Sequence, residues 1–280
     1  MQKIAIITDS ASDLSNDIIN KYNIKVAPFR IIYKDNEYED MITITANEVY
    51  KRLPIEIPTT SLPNIERIDK IINDIEDEGY THVLAINISS NLSGTGNSIR
   101  LLLEEHPKLK SFVFDTKTLS MAQGAIVIEA AKMIEAGDTF ESIIMKLPEI
   151  RKKTHVYFTL NTLEYLKKGG RIGKVAGTIG ELLNLKPLIH VNDDGIYETY
   201  AKLRGRKQSI NKIYQILEKY LSHKCNIWII NGDAEEESKE MYNKFVSHPM
   251  INQISSRVLG PALGVHTGPG LIGVVIQEVD

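Results

Sequence analysis

Over the first 150 residues, short apolar runs alternate with helix-periodic segments, and this alternation restricts the fold more than any other feature. "KIAIITDS" is a buried-strand pattern closing on turn residues, and "THVLAINISS" and "LKSFVFDT" repeat it. The segments "LSNDIINKYN", "NIERIDKIINDIEDEG", "NSIRLLLEEHP" and "GAIVIEAAKMIEAG" read as helices. In the second of these, Ile65, Ile68, Ile71, Ile72 and Ile75 make one stripe, and Gly79 stops it. "IKVAPFRIIY" is a further strand-like run in which Pro28 demands an edge position or a bulge. Strands alternating with helices predict an α/β fold with a mostly parallel sheet and helices on both faces.

Near residue 154 the rhythm changes. "HVYFTLNTLEYLKKGGRIG" reads as a strand, a short helix and a Gly-rich turn, and "KPLIHVNDDGIYETYAKLRG" as a hairpin through Asn-Asp-Asp-Gly. Two more strands, "NIWIINGD" and "GLIGVVIQEV", accompany the helices "SINKIYQILEKYL" and "EEESKEMYNKFV". The expected division is an N-terminal α/β domain over 1–154 and a C-terminal α/β domain with a mixed sheet over 155–280. A chain of 280 residues is long enough for both cores.

Charge and cysteine content exclude several classes. A net charge of −3 supplies no global field for nucleic acid, so no nucleic-acid partner is expected. A single cysteine, Cys225, rules out intramolecular disulfides and suits a reducing compartment. The N-terminal apolar run is too short for a signal peptide, and nothing approaches 18 apolar residues. The expectation is a cytoplasmic protein.

Ligands of open parallel sheets bind beyond the carboxyl ends of the strands. Here those ends carry "TDSASDL", "ISSNLSGTGNS" and "DTKTLS", and "PTTSLPN" adds Thr60 and Ser61 before a helix. In "SSNLSGTGNS", Gly94 and Gly96 let a ligand approach the backbone, and Ser93 and Thr95 add uncharged hydroxyls at a helix N-terminus. That combination suits one carboxylate or phosphate, and equally a plain helix cap. Asp9 and Asp13 could ligate a metal, but Asp13 fits a helix cap as well, and the His223-x-Cys225 pair lacks partners at zinc spacing. No metal site and no cofactor is expected.

"GGRIGKVAG" fails as a nucleotide P-loop, since Lys168 stands where the first Gly belongs and Val175 where Ser or Thr would hold magnesium. It leaves two basic clusters, Lys167, Lys168, Arg171 and Lys174, and Lys202, Arg204, Arg206 and Lys207. They read either as solvated surface or as a patch for an acidic partner or a phosphoryl group. Near the C-terminus, "GPALGVHTGPGLIG" surrounds His266 with glycines and prolines, a pattern open to a phosphate loop, a catalytic histidine or a tight sheet corner.

Taken together, "TDSASDL", "PTTSLP", "ISSNLSGTGNS", "DTKTLSMAQG", "TLEYLKKGGRIG", "KPLI" and "GPALGVHTGPGLIG" resemble, in order and over nearly the whole chain, the DegV family of fatty-acid-binding proteins. That family includes the FakB subunits of bacterial fatty acid kinase. The resemblance implies two α/β domains with one long-chain fatty acid between them. It places Thr60, Ser61, Ser93, Gly94, Thr95, His266 and Thr267 around the carboxylate. It also favours the tight corner for "GPALGVHTGPGLIG", turning His266 toward a site built by the other domain. Arg171 would lie near the mouth, and Arg171 and Arg204 would meet a kinase subunit that converts the bound acid to an acyl phosphate for phospholipid synthesis. A transient membrane contact is compatible with such a carrier. The chain departs from the family pattern at Leu62-Pro63 and at Leu271-Ile272, which bears on acyl-length preference. Two other classes compete: a hydrolase or phosphotransferase using His266 with Ser93 or Asp9, which lacks a G-x-S-x-G elbow, and a nucleotide-binding regulatory domain using the Gly94–Gly96 loop.

Overall fold

A computed structural model describes residues 2–178 and 185–279. β1 (Ile4–Asp9) enters a single 3₁₀ turn and then α1 (Asn16–Lys21). Next come β2 (Lys25–Ala27), β3 (Arg30–Ile32), β4 (Glu37–Glu39), α2 (Ala46–Arg52) and β5 (Thr59–Ser61). They are followed by α3 (Ile65–Asp77), β6 (His82–Asn87), α4 (Thr95–Glu104), β7 (Lys110–Asp115), α5 (Ser120–Glu135) and α6 (Phe140–Lys152).

The first sheet has the order β2-β1-β6-β7 and is wholly parallel. Its central strands, β1 and β6, are buried on both sides because helices cover both. Ile68, Ile72 and Ile75 of α3 and Ile99 and Leu103 of α4 pack on one face. On the other face lie Met121, Ala125 and Ile126 of α5 with Phe140, Ile143 and Leu147 of α6. The run around Pro28 splits in two: β2 closes the edge of the main sheet, and β3 leaves it to form a small antiparallel sheet, β4-β3-β5. Proline lacks the N–H that a continuous ladder would need. That small sheet, α2 and α6 were not anticipated. The reciprocal cap between Thr45 and Glu48 at the start of α2 is written in the sequence, whereas α6 is disguised by Pro148 in its interior.

The second domain contains β8 (Thr154–Thr159), α7 (Glu164–Lys168), β9 (Leu188–Val191), β10 (Tyr197–Ala201) and α8 (Arg206–Tyr220). It ends with β11 (Cys225–Gly232), α9 (Glu235–Phe245), β12 (Ile251–Val258), α10 (Pro261–Thr267) and β13 (Leu271–Glu278). The sheet order is β10-β9-β8-β13-β11-β12, with β11 and β12 parallel and every other pair antiparallel. β9 and β10 form the expected hairpin. β12 is an edge strand with no buried residue, four of its eight being exposed, which is why its apolar signal is weak. We propose residue 154 as the boundary, where α6 gives way to β8.

The two faces of this mixed sheet have separate duties. Ile213 and Leu217 of α8 and Met241 and Phe245 of α9 cover the outer face. Val156, Phe158, Trp228, Ile230 and Val275 point the other way and merge with the core under α5. The domains therefore share one continuous apolar interior, and the cavity described next lies within that junction.

The segment around His266 departs from the expected corner. It is a short helix, α10, with Pro261 in its first turn, and His266 sits in its last turn. Pro261 has no N–H to satisfy and a φ suited to a helix start. The first free N–H groups are taken by carboxylates from the other domain: Gly260 N donates to Asp13 Oδ1 at 3.0 Å and Ala262 N to Asp40 Oδ1 at 2.8 Å. Asp13 thus caps a helix, but one far along the chain rather than the next one.

Candidate functional site

A cavity of about 220 Å³ opens at the junction, with Thr60, Ser61, Ser93, Arg171 and His266 at its polar side. Leu119, Tyr197 and Leu263 close its inner end and also line a smaller apolar chamber of about 30 Å³ against Val156, Phe158 and Ile230. On its outer side the same Thr60, Arg171 and His266 face an open cleft of about 840 Å³, walled by Ile55, Glu56, Tyr165 and Lys168. The polar groups thus stand between solvent and an apolar chamber.

Three elements from distant parts of the chain deliver those groups. β5 presents Thr60 and Ser61, held in place by Arg30 of β3, whose Nη2 donates to Ser61 Oγ at 3.0 Å and whose Nε donates to Leu62 O at 2.9 Å. Arg30 was missed from sequence because nothing in its neighbourhood marks it. The loop after β6 presents Ser93, whose hydroxyl lies 2.8 Å from Thr95 Oγ1. α10 presents His266, whose Nε2 lies 2.7 Å from Thr60 Oγ1.

The other residues expected around a headgroup stand elsewhere. Thr95 is fully buried, so its hydroxyl holds Ser93 rather than facing the cavity. Gly94 is exposed and acts as the cap residue of α4. Thr267 turns its hydroxyl to Leu263 O at 3.1 Å and lines the apolar chamber instead. Arg204 is exposed, outside the cavity lining. Arg171 does reach the mouth, where its guanidinium donates to Gly169 O at 2.7 Å and Leu92 O at 3.3 Å.

The two basic clusters are partly neutralised. Lys168 pairs with Glu164 at 2.7 Å, and Lys174 lies 3.9 Å from both Asp194 and Glu198. Arg206 forks onto Glu237 and also donates to Gly270 O, so it braces α8 against the turn before β13.

Burial, and then the nearby Arg171 charge, push the His266 pKa down to about 4. The imidazole is therefore neutral at pH 7, free to exchange one hydrogen bond with Thr60. Its folded pKa lies below the ordinary histidine value near 6.5, so the stability it contributes is full above about pH 6.5 and is lost toward pH 4. An NMR titration of His266 should show a neutral ring through pH 5.5, and a midpoint near 6.5 would contradict this description.

Gly169 shapes the pocket from behind. A Cβ at this position would overlap His266 Nδ1, an atom that is buried and has no hydrogen-bond partner among the described residues. Gly169→Ala should therefore push the imidazole off Thr60 at a cost of about 1–3 kcal/mol. Loss of the His266–Thr60 coupling by NMR, together with a lower urea midpoint, is the expected result.

Asp9 takes no part in the cavity. It is wholly buried and accepts from Ala11 N, Asn87 Nδ2, Ile88 N and Gln123 Nε2, at 2.9–3.1 Å. Among the described residues, no group of three or more His, Cys, Asp or Glu is arranged to hold a metal, and no helix is long and apolar enough to cross a membrane.

Fold and site define a class: a two-domain α/β protein with a polar-mouthed, apolar-floored cavity at the domain junction. A family model described as "Uncharacterised protein, DegV family" matches residues 3–279. A DegV domain-containing protein of Clostridium acetobutylicum is 50% identical over 277 residues, covering 99% of each chain. The chain belongs to the DegV family. Among solved structures, a fatty-acid-binding DegV family protein from Thermus thermophilus superposes with a TM-score of 0.92 at 29% identity, covering 99% of this chain and 100% of that one. A stearic-acid-binding protein from Eubacterium ventriosum superposes at 0.88 with 30% identity, covering 99% and 98%.

Proposed function

We propose that the protein binds one long-chain fatty acid, with its carboxylate among Thr60, Ser61, Ser93 and His266 and its acyl chain directed past Leu119, Tyr197 and Leu263. The observation that carries this reading is the His266–Thr60 pair at 2.7 Å, set at a cavity that shares its inner wall with an apolar chamber. A buried carboxylate needs several hydrogen bonds to offset desolvation. Hydroxyls and a neutral imidazole supply them without locking the oxygens into a fixed ion pair, and Arg171 contributes positive charge nearby. The relatives' fatty-acid binding supports the same assignment.

The second step we propose is presentation of that carboxylate to a fatty acid kinase subunit, rather than catalysis by this chain itself. A carboxylate oxygen would attack the γ-phosphorus of ATP, breaking the bond to ADP and leaving an acyl phosphate on the carrier. The open cleft beside Thr60, Arg171 and His266 supports this step, since it reaches the polar end of the cavity from solvent. Arg171 lies at that end and the exposed Arg204 is the further docking contact. The competing hydrolase reading is less well supported, because His266 is bonded to Thr60 and not to Ser93 or Asp9. Loaded protein mixed with kinase subunit and ATP should yield an acyl hydroxamate after hydroxylamine trapping. No hydroxamate from loaded protein and a kinase active on another carrier would reject this step.

A further inference from the structure

We propose that Asp13 and Asp40 are positioning residues that latch the His266 helix onto the N-terminal domain, and that this latch opens by releasing protons. The geometry is a pair of clamps. Asp13 accepts from Gly260 N at 3.0 Å and from Ser120 Oγ, and Asp40 accepts from Ala262 N at 2.8 Å and from Ser10 Oγ at 2.6 Å. Both carboxyls are buried, at 5% and 1% exposure. Gly260 permits the approach, since a Cβ there would lie 2.6 Å from Asp13 Oδ1. The helix they hold carries Ala262, Leu263 and His266, which together wall one side of the cavity. Swinging that helix away would break both clamps, detach His266 from Thr60 and expose the acyl end.

The charged and titratable groups facing the clamps are few. Asp9 lies beside Asp40 from β1, Tyr50 and Tyr197 lie near Asp13 from α2 and β10, and Arg257 faces Asp13 from β12. Burial raises Asp13 to about 7 and Asp40 to about 6, Asp40 adding to the rise at Asp13 and Asp9 to that at Asp40. An open latch returns both to ordinary carboxylate behaviour near 3.9. The closed state therefore binds more protons than the open one, so closure is strongest at low pH and weakens as pH rises through 6 to 7. His266 acts in the opposite sense below pH 6.5, because an opened imidazole takes up a proton that the closed one refuses. Combining the three groups, opening should increase about tenfold between pH 5.5 and 8.5.

Hydrogen exchange of the α10 amides, corrected for the intrinsic pH dependence, reads this opening with no ligand present. The wild-type protein should lose about tenfold protection over that range. Asp13→Asn keeps an oxygen for Gly260 N, so it should be well protected at pH 5.5 and show no rise with pH; Asp13→Ala should be poorly protected throughout. Wild-type protection that does not fall with pH, or an Asp13→Asn protein that keeps the wild-type rise, would overturn the latch. Asp40→Asn, expected to reduce the rise to about threefold, serves should Asp13→Asn not fold. The cargo-related consequence rests on the fatty-acid reading: release of a fluorescent fatty acid from loaded protein should follow the same pH profile. Failure to load at all would count against that reading and leave the exchange result standing, whereas pH-independent exchange would sink the latch even in a protein that loads.

Discussion

Removing one methylene from a saturated fatty acid should weaken its binding about fourfold, and the series should extend over many carbons. The figure follows from about 0.8 kcal/mol per buried CH₂, with tenfold in affinity for each 1.4 kcal/mol. Six methylenes then separate two ligands by about 5 kcal/mol before ordering costs. The structural basis is the apolar chamber under β8 and β13, which shares the walls Leu119, Tyr197 and Leu263 with the cavity. Competition against one fluorescent fatty acid, run from decanoate to stearate, measures the slope. The chain length at which the gain stops reports the depth available behind Tyr197. A flat series would mean that the acyl chain lies in the solvent-facing cleft and that the apolar chamber is not used.

The second large effect is at His266. His266→Ala should leave the protein folded and weaken fatty-acid binding about 10- to 100-fold, the range for losing a hydrogen bond to a charged group at about 1.5–3 kcal/mol. The side chain is in the last turn of a seven-residue helix and, among the described residues, hydrogen-bonds to Thr60 alone, so its removal should leave the fold intact. Thr60→Val should weaken binding in the same direction, and the double variant should lose less than the sum, because each side chain is the other's partner. Isothermal titration of the three variants supplies the comparison. Full additivity would show that the pair does not act on one ligand group.

How much of this was legible before the structure depended on the range of the interactions involved. The parallel strands β1 and β6 and the stripe of α3 are local patterns with one reading, because residues buried on both faces, or on every third and fourth position, leave a direct mark. The exposed-edge strand β12 and the Pro-interrupted α6 lack such a mark. Thr60, Ser61, Ser93 and His266 could be named from the motifs of the resembling family. Their convergence on one site comes from the resemblance alone and not from any local pattern, since Thr60 and His266 stand 206 positions apart. Asp13 shows the limit best. Its side chain suits a cap, but which helix it caps is set by a contact 247 positions away. The glycines and prolines around His266 suit a sheet corner as sequence. They instead permit a helix start at Pro261 and a close approach at Gly260, a distinction that depends on the carboxylates waiting there.

The proposed account also orders the site's electrostatics. A neutral His266 and uncharged hydroxyls keep the carboxylate available to chemistry from the cleft side. The buried acids behind α10 set how firmly that helix closes. Fixed charge at the site is thus left to Arg171 and withheld from the donors themselves.

Organic extraction of the purified protein followed by mass spectrometry, with native mass spectrometry on the same sample, is the most direct test of the central claim. One long-chain fatty acid per protein molecule is expected, or full loading at one equivalent when the isolated protein is incubated with stearate or oleate. An extract without fatty acid from a protein that also cannot be loaded would contradict it.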